Sequence, residues 1–248
     1  MRFSLFALFA PIAMVASTAF GGGLGDMTEA ERQAFRAEVR AYLVENPEVL
    51  VEAMDELQRR SELVASERET QTLKDQAATI YSDPNSWVGG NPEGDITIVE
   101  FVDYRCGYCR KAHDEVAELV RSDGNIRFVV KEFPILGEDS IASSRFAIAV
   151  LQLHGDAAYK LAHDALITLR GAPTPETLAR LAADQGLEPG PIMERMGQDQ
   201  VTQVIAANHA LGDLLDISGT PTFVIDRTLV RGYLPLDGMR QIVVDERG

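Results

Sequence analysis

Two cysteines, Cys106 and Cys109, are the only cysteines in a chain of 248 residues, and two residues separate them. An apolar run at residues 96–102 leads into the pair and predicts a strand, and residues 111–120 predict a helix. A dithiol between a strand and a helix N-terminus suits thiol-disulfide exchange, because the unsatisfied N–H groups and the helix dipole there stabilise a thiolate. We therefore expect Cys106 to be the attacking sulfur and Cys109, one turn into the helix, to resolve the mixed disulfide.

Two other interpretations of the cysteine pair stay open. A Cys-x-x-Cys motif can be half of a zinc site, although tetrahedral zinc needs two further ligands and the chain has no second cysteine pair. The four histidines, His113, His154, His163 and His209, show no paired ligand spacing. The pair can also form an inert short-range disulfide. We favour redox chemistry over both, so the sequence predicts neither a metal ion nor a cofactor.

The charge of the chain limits the classes of partner. The chain has 23 lysines and arginines against 38 aspartates and glutamates, which gives a formal net charge of -15 at pH 7. Nucleic-acid binding needs a basic surface, so this balance argues against a nucleic-acid partner. The length and the 46% hydrophobic content are those of one large globular domain or two small ones.

The N-terminus has the pattern of a secretory signal. Arg2 is followed by a mostly apolar run at residues 3–15 and then by small residues. We predict a signal peptide over residues 1–19, with cleavage after Ala19, and hence export to the periplasm, which is an oxidising compartment. An uncleaved anchor is the alternative, although the apolar core is short for a bilayer span.

Residues 26–82 predict a helical oligomerisation region. Thr28 and Glu31 form a capping-box pattern at the start of a first helix, and Pro47 follows its end. In the second helix, residues recur at the alternating intervals of four and three that form a coiled-coil seam. The seam positions are Leu50, Met54, Leu57, Ser61 and Val64. Residues 66–76 are polar and predict a spacer. The alternative is an amphipathic helix that lies on the following domain.

Residues 83–248 predict a catalytic domain of the α/β class. A strand, a helix and a second strand at residues 126–130 come first, and an almost entirely helical segment follows over about residues 140–215. Two short strands around a turn at residues 226–227 and a closing helix complete the order. This order indicates a thioredoxin-like fold with an inserted helical subdomain, preceded by the N-terminal helical region.

Two motifs carry a resemblance to a known family. They are Cys106-Gly107-Tyr108-Cys109 and Gly219-Thr220-Pro221-Thr222-Phe223. Together they resemble the DsbA family of exported thiol-disulfide oxidoreductases, over about residues 85–245. The resemblance implies that Pro221 is cis and lies against the cysteines, and that the backbone of Thr220 pairs with an extended substrate strand. It also implies that Glu100 is a buried acid that assists proton transfer at Cys109, whereas the residue pattern alone also allows a solvent-facing Glu100.

Some features resemble particular members of that family. The helical leader resembles the N-terminal region of suppressor-of-copper-sensitivity C (ScsC) proteins, some of which are trimeric isomerases. Gly107, Tyr108 and the threonine before Pro221 also match the isomerase DsbC rather than the oxidase DsbA, although the separate dimerisation domain of DsbC is missing. Gly107 and Tyr108 are expected to tune the Cys106 thiolate and to contact substrate, although a tyrosine at this position is equally well explained as a cover for the disulfide. His113 shares the helix face of the cysteines, where a protonated imidazole would favour the thiolate, but we interpret it as a surface histidine.

The sequence therefore predicts an exported thiol-disulfide oxidoreductase, most simply an isomerase or reductase. Its expected partners are unfolded or wrongly disulfide-bonded exported proteins, a membrane thiol-disulfide redox partner and further copies of the chain, with a trimer as one form. One alternative is a monomeric dithiol oxidase of the same fold. Another is a periplasmic copper-binding protein of copper tolerance, since a thiolate pair suits Cu(I).

Overall fold

The computed structural model of the protein describes residues 27–248. In this part of the chain the helices are α1 Glu29–Glu45, α2 Glu48–Asp75, α3 Ala77–Tyr81, α4 Gly107–Asp123, α5 Glu138–Thr168, α6 Pro175–Asp184, α7 Pro189–Met196, α8 Asp199–Leu214 and α9 Leu236–Arg247. The strands are β1 Trp87–Gly90, β2 Ile96–Val102, β3 Ile126–Glu132, β4 Thr222–Ile225 and β5 Thr228–Arg231. The predicted signal peptide, residues 1–19, lies outside the described residues. Among the helices described, none has the length and apolar character needed to cross a bilayer.

The described part of the chain divides into two compact units, residues 27–63 and Val64–Gly248. In the first unit, Thr28 caps α1 because its hydroxyl accepts the Glu31 N–H, while the Glu31 carboxylate accepts the Thr28 N–H at 2.8 Å. All residues of α1 are at least partly exposed. The exposed large apolar side chains of this unit are Phe35, Val39, Tyr42, Val44, Leu50, Val51, Met54, Leu57 and Leu63. The first unit therefore presents apolar surface along both of its helices.

The second unit is built on a five-stranded sheet in the order β1-β3-β2-β4-β5. β2 and β3 are parallel, and the other neighbouring strands are antiparallel. Successive side chains of a strand point to opposite faces, so the apolar run of β2 serves two cores. Ile98 lies in one core with residues of α4, α5 and α9, and Val99 lies in the other with residues of α2, α3 and α8. The fold is the thioredoxin-like α/β arrangement that the sequence predicts.

The helical insertion, α5 to α8, separates β3 from β4 in the chain. α5 bends at Gly155, whose φ of 76° lies in the left-handed region that glycine tolerates best. The sequence predicts two helices here, at residues 141–154 and 157–169, and the bend falls between them. α6 starts with the Thr174 cap and Pro175 in its first turn, which is the usual place for proline in a helix.

The boundary between the units differs from the predicted one. The sequence prediction divides the chain near residue 82, whereas the compact units divide after Leu63, within α2. The physical reason is that Leu73, 5% exposed, and Ile80, fully buried, pack in the core behind β2. Residues 66–76, predicted as a polar spacer, are helical except at Gln76 and contribute one of these core side chains.

A buried ion pair also ties the end of this segment to the sheet. Lys131 of β3 is fully buried, and its Nζ donates to Asp83 Oδ2 at 2.7 Å and to the Thr79 carbonyl oxygen at 2.9 Å. A buried charge that loses its partner keeps its desolvation cost without the compensating attraction. Residues 79–83 are therefore part of the packed second unit.

We expect Asp83→Ala to lower the free energy of unfolding by about 3 kcal/mol, because it leaves the Lys131 ammonium without its carboxylate. The matched control is Asp95→Ala, which breaks an exposed ion pair with Arg247 and is expected to cost about 1 kcal/mol or less. Urea unfolding followed by circular dichroism measures both. Equal losses in the two variants would show that the buried pair has no special weight.

Candidate active site

The two cysteines lie where β2 runs into α4. Cys106 is the N-cap residue of α4, with extended backbone, and Cys109 is in the first turn of the helix. Both are free thiols, and they are 8% and 1% exposed, respectively. The first N–H groups of a helix have no partners within the helix, so they are available to a sulfur at the N-cap position.

The surroundings give the two thiols opposite acidities. A hydrogen bond with the Cys109 side chain is the largest cause that lowers the pKa of Cys106. The side chain of Thr220 and the N–H groups of Cys109 and Tyr108 lower it further, to about 5, against the opposing effect of burial. Burial raises the pKa of Cys109 far above its ordinary value, and the hydrogen bond with Cys106 and the charge of Glu100 add to this rise. At neutral pH, Cys106 is a thiolate and Cys109 a thiol, which suits the roles predicted for them.

The loop before β4 lies against Cys106. The Thr220-Pro221 peptide bond is cis, and the Cys106 Sγ lies 3.0 Å from the carbonyl oxygen of Thr220. The Pro221 carbonyl accepts the N–H of Gly232 at 2.9 Å, which holds the loop to the chain after β5. The backbone of Thr220 is therefore beside the reactive sulfur, where an extended peptide can pair with it.

Glu100 lies inside the second unit. It is 3% exposed and lies in β2, paired with Val130 of β3 on one side and Phe223 of β4 on the other. The solvent-facing alternative for Glu100 is therefore wrong. Burial raises the pKa of Glu100 to about 8, and the charges of Cys106 and Glu132 contribute to this rise. A carboxyl that titrates near pH 8, and whose charge acts on the buried Cys109 thiol, is suited to take and return a proton.

A second buried carboxylate, which the sequence analysis missed, ends β3. Glu132 Oε1 accepts the hydroxyl protons of Tyr104 at 2.7 Å and Tyr159 at 2.6 Å. Burial raises the pKa of Glu132 to about 7, although these hydrogen bonds oppose the rise. The signal was partly available, because the parallel register places Glu132 beside Val102, at the edge where the cysteine loop begins. Tyr159 comes from the helical insertion, and local sequence gives no sign of its position.

Asp103 organises the loops around the cysteines. Its Oδ1 accepts the N–H of Arg105 and the hydroxyl of Ser140, both at 2.8 Å. Its Oδ2 accepts the N–H groups of Ile135 at 2.8 Å and Leu136 at 3.0 Å. One fully buried carboxylate thus fixes both the turn before Cys106 and the loop after β3, where Ile135 and Leu136 are exposed.

The face next to Cys106 carries an aromatic and cationic cluster. Tyr108 is exposed and stacks on Tyr233, with ring centroids 6.2 Å apart. The Lys111 ammonium lies 4.1 Å from the centroid of the Tyr233 ring, and the Tyr233 hydroxyl donates to Glu115 at 2.7 Å. The space around Gly107 is open, since a Cβ there would meet nothing within 4 Å. Gly107 and Tyr108 therefore lie at the accessible side of the dithiol, where the sequence predicts substrate contact.

His113 differs from its prediction as a surface histidine. Its side chain is 17% exposed, and its Nε2 lies 3.3 Å from Asp164 Oδ1. Its ring is 5.4 Å from that of His163, centroid to centroid. Burial lowers the pKa of His113, so the imidazole is mostly neutral at pH 7 and does not supply positive charge to the dithiol.

Two protein families match separate parts of the chain, one within each of the two compact units. Residues 82–245 match the family described as Thioredoxin, and residues 31–62 match the one described as Copper resistance protein ScsC N-terminal domain. The first match covers more than half of the chain, so the chain belongs to the thioredoxin family.

Similar solved structures indicate which kind of thioredoxin-family protein this is. A thioredoxin-like oxidoreductase from Silicibacter pomeroyi DSS-3 is 40% identical, with a TM-score of 0.63, and the match covers 68% of this chain and 96% of that one. Proteus mirabilis ScsC in a transitional conformation is 25% identical, with a TM-score of 0.65 and coverage of 90% and 97%. A periplasmic thioredoxin-like protein from Salmonella enterica serovar Typhimurium is 25% identical, with a TM-score of 0.62 and coverage of 68% and 94%. The second unit is thus a thioredoxin-family domain of the thiol-disulfide oxidoreductase type, similar to the domain of ScsC.

Curated relatives match over a smaller part of their own length. Two proteins named as Na⁺/H⁺ antiporters NhaA, from Salinispora arenicola and Salinispora tropica, are 31% and 28% identical over 157 residues. The chain spans 24% of the length of each of them.

Proposed function

We propose that the protein is an exported thiol-disulfide oxidoreductase that acts mainly as a disulfide isomerase or reductase. Cys106 is the nucleophile, Cys109 is the resolving thiol, and Glu100 exchanges the proton of Cys109. Thr220 and Pro221 receive the substrate backbone, and Gly107 and Tyr108 border it on the open side. The substrates are unfolded or wrongly disulfide-bonded exported proteins.

The chemistry starts with the Cys106 thiolate. It attacks a substrate disulfide, so that a bond forms between Cys106 and one substrate sulfur while the other leaves as a thiolate. In isomerisation, the freed thiolate attacks a second substrate disulfide, and a substrate thiolate finally displaces Cys106. In reduction, Cys109 passes its proton to Glu100 and attacks Cys106, which yields the Cys106–Cys109 disulfide and a reduced substrate. A membrane thiol-disulfide partner then returns two electrons.

The observation that carries the isomerase proposal is the apolar seam of α2. Leu50, Met54, Leu57 and Val64 recur at coiled-coil spacing, and each side chain is at least half exposed. An uncovered apolar stripe of this kind favours association with further copies of the same helix. The similarity of residues 31–62 to an ScsC N-terminal domain supports the same proposal. Oligomers, with a trimer as one form, hold several dithiols around one substrate. They also shield these dithiols from a membrane oxidase that reoxidises monomeric dithiol proteins, so the isomerase stays reduced.

Export rests on two supports. The signal pattern of residues 1–19 is one, and the periplasmic relative from Salmonella is the other. In the oxidising periplasm, exported proteins form the wrongly paired disulfides on which an isomerase acts.

We expect Leu57→Glu to convert the protein to a monomer and to reduce reactivation of a scrambled-disulfide substrate by about tenfold or more, because multivalent capture is lost. Gln58→Glu adds the same charge at the neighbouring exposed position and is expected to behave like the wild type. Sedimentation gives the mass and substrate reactivation gives the rate. Both variants should oxidise a small dithiol peptide normally, since the dithiol is untouched.

A truncation offers a second form of this test, and the structure fixes where it should begin. A chain starting at Val64 keeps Leu73 and Ile80 in the core, whereas one starting at Asp83 removes both. The isomerase proposal fails if the wild type is monomeric, or if the chain starting at Val64 reactivates the substrate as well as the whole protein. A monomeric wild type that oxidises dithiol peptides without reactivating scrambled substrate would establish the monomeric oxidase instead.

A copper-binding function is the other candidate, and the ScsC-type N-terminal match favours it together with the thiolate pair. Titration of the reduced protein with Cu(I), compared with Cys106→Ser, tests it. Tight stoichiometric binding that the variant lacks would support copper handling, and weak binding in both would remove it.

A further inference from the structure

We propose that His113, His163 and Asp164 form a binding site for a divalent first-row transition metal such as Zn²⁺, separate from the dithiol. The fold brings His113 of α4 to the adjacent residues His163 and Asp164 of α5. One ligand atom of each lies within 4.8 Å of the others, and this is the one such group among residues 27–248. Two imidazoles and a carboxylate are ligands that zinc binds readily.

The hydrogen bonds around His163 fix its tautomer and leave Nε2 as the nitrogen that can bind a metal. The Tyr104 hydroxyl donates its single proton to Glu132 Oε1 at 2.7 Å. The Tyr104 oxygen, 3.0 Å from His163 Nδ1, must therefore accept a proton from that nitrogen. The proton is thus on Nδ1 and the lone pair on Nε2. A histidine ligand held through its other nitrogen by a chain that ends in a carboxylate is the common outer arrangement of protein metal sites.

The site has room to complete its coordination. His113, His163 and Lys160 line a cavity of about 370 Å³, which is large enough for water ligands. Bond lengths of about 2.0–2.2 Å place the ligand atoms of tetrahedral zinc about 3.4 Å apart. The present ligand atoms lie within 4.8 Å of one another, so binding requires a contraction of at most about 1.4 Å. His113 and Asp164 are only partly buried and can supply it by rotation of their side chains.

Lys160 is the group that competes with a metal. Its Nζ lies 2.7 Å from Asp164 Oδ1 and 2.5 Å from Oδ2, in an i,i+4 pair whose side chains are 44% and 39% exposed. Such exposed pairs are weak, and a divalent cation held also by two imidazoles can displace the ammonium. Removal of Lys160 should therefore strengthen metal binding, which a purely structural cluster would not explain.

The test uses the untagged, oxidised protein, so that both sulfurs are held in the disulfide and cannot act as ligands. Visible absorption follows Co²⁺ titration and calorimetry follows Zn²⁺. We expect one equivalent to bind, His113→Gln and Asp164→Asn to bind at least about tenfold more weakly, and Lys160→Gln to bind about fivefold more tightly. His154→Gln changes an exposed histidine outside the cluster and should bind like the wild type.

Two results would overturn the proposal. One is the absence of saturable binding in the wild type, and the other is binding that His113→Gln and Asp164→Asn leave intact. Both of these variants change partly exposed side chains, so the buried His163 does not have to be altered and the fold remains suitable for comparison.

Discussion

Cys106→Ser is expected to lower the rate of thiol-disulfide exchange by at least about a thousandfold, because it removes the nucleophile and leaves a sulfur that burial keeps protonated. Cys109→Ser is expected to retain the first attack and to accumulate the mixed disulfide, since Cys109 resolves it. Turnover of a disulfide peptide and mass spectrometry of the trapped adduct measure the two effects. Equal turnover in Cys106→Ser and the wild type would contradict the roles of Cys106 as nucleophile and Cys109 as resolving thiol.

The pH dependence tests the same assignment in finer detail. The thiolate fraction of Cys106 rises as pH increases through its pKa of about 5, whereas an ordinary thiol titrates near about 8.5. Alkylation of the reduced protein by iodoacetamide should therefore reach half of its maximal rate near pH 5. The lowered pKa also stabilises the reduced folded protein, fully above the pKa of an ordinary thiol and progressively less as pH falls through about 5.

The contact that sets this pKa can be isolated with a matched pair of variants. The hydrogen bond with Cys109 is the largest cause of the low pKa of Cys106. Cys109→Ala removes that donor and should move the midpoint of alkylation upward, whereas Cys109→Ser keeps a donor and should move it less. An unshifted midpoint in Cys109→Ala would mean that the helix N-terminus and Thr220 stabilise the thiolate without the Cys109 side chain.

The parts of the site that the sequence predicts are those that local pattern controls. A strand, two cysteines and a helix follow one another without interruption, so the position of Cys106 at a helix N-terminus follows from neighbouring residues. The thioredoxin-like fold follows in the same way from the order of strands and helices, and its family match agrees with it. The burial of Glu100 was only partly predictable. The residue pattern of β2 allowed its side chain to face either solvent or the core, and only the packing of the sheet shows that it is buried.

The parts that the sequence does not predict depend on contacts between distant segments. Tyr159 of the helical insertion reaches Glu132 of β3, and His163 meets His113 because α5 packs near α4. The unit boundary was missed for another reason. The stretch around Leu73 is mostly polar, although Leu73 itself lies in the core of the second unit. Helical periodicity does not distinguish an apolar residue of a coiled-coil seam from one that packs on the neighbouring domain.

Glu100→Gln is expected to slow the resolving step while it makes the folded protein more stable at alkaline pH. The glutamine cannot accept the proton of Cys109, so the mixed disulfide should resolve at least about tenfold more slowly. In the wild type, Glu100 becomes ionised as pH rises through about 8, so the resolving rate should rise over that range. The variant should lack this rise. Stopped-flow measurement of the reductive half-reaction from pH 6 to about pH 9 gives both profiles.

The stability effect has the opposite direction because the folded protein holds a proton that the unfolded chain releases. The pKa of Glu100 is about 8 in the folded state against an ordinary 4.5, so the wild type loses stability as pH rises from about 4.5 to about 8. In the oxidised protein, where burial remains the main cause, Glu100→Gln should raise the free energy of unfolding at pH 8 by about 2 kcal/mol or more and should change it little below pH 4.5. The exposed Glu93→Gln should alter neither rate nor stability. A variant that resolves slowly and is also less stable at pH 8 would indicate that Glu100 supports the packing of the site rather than its proton transfer.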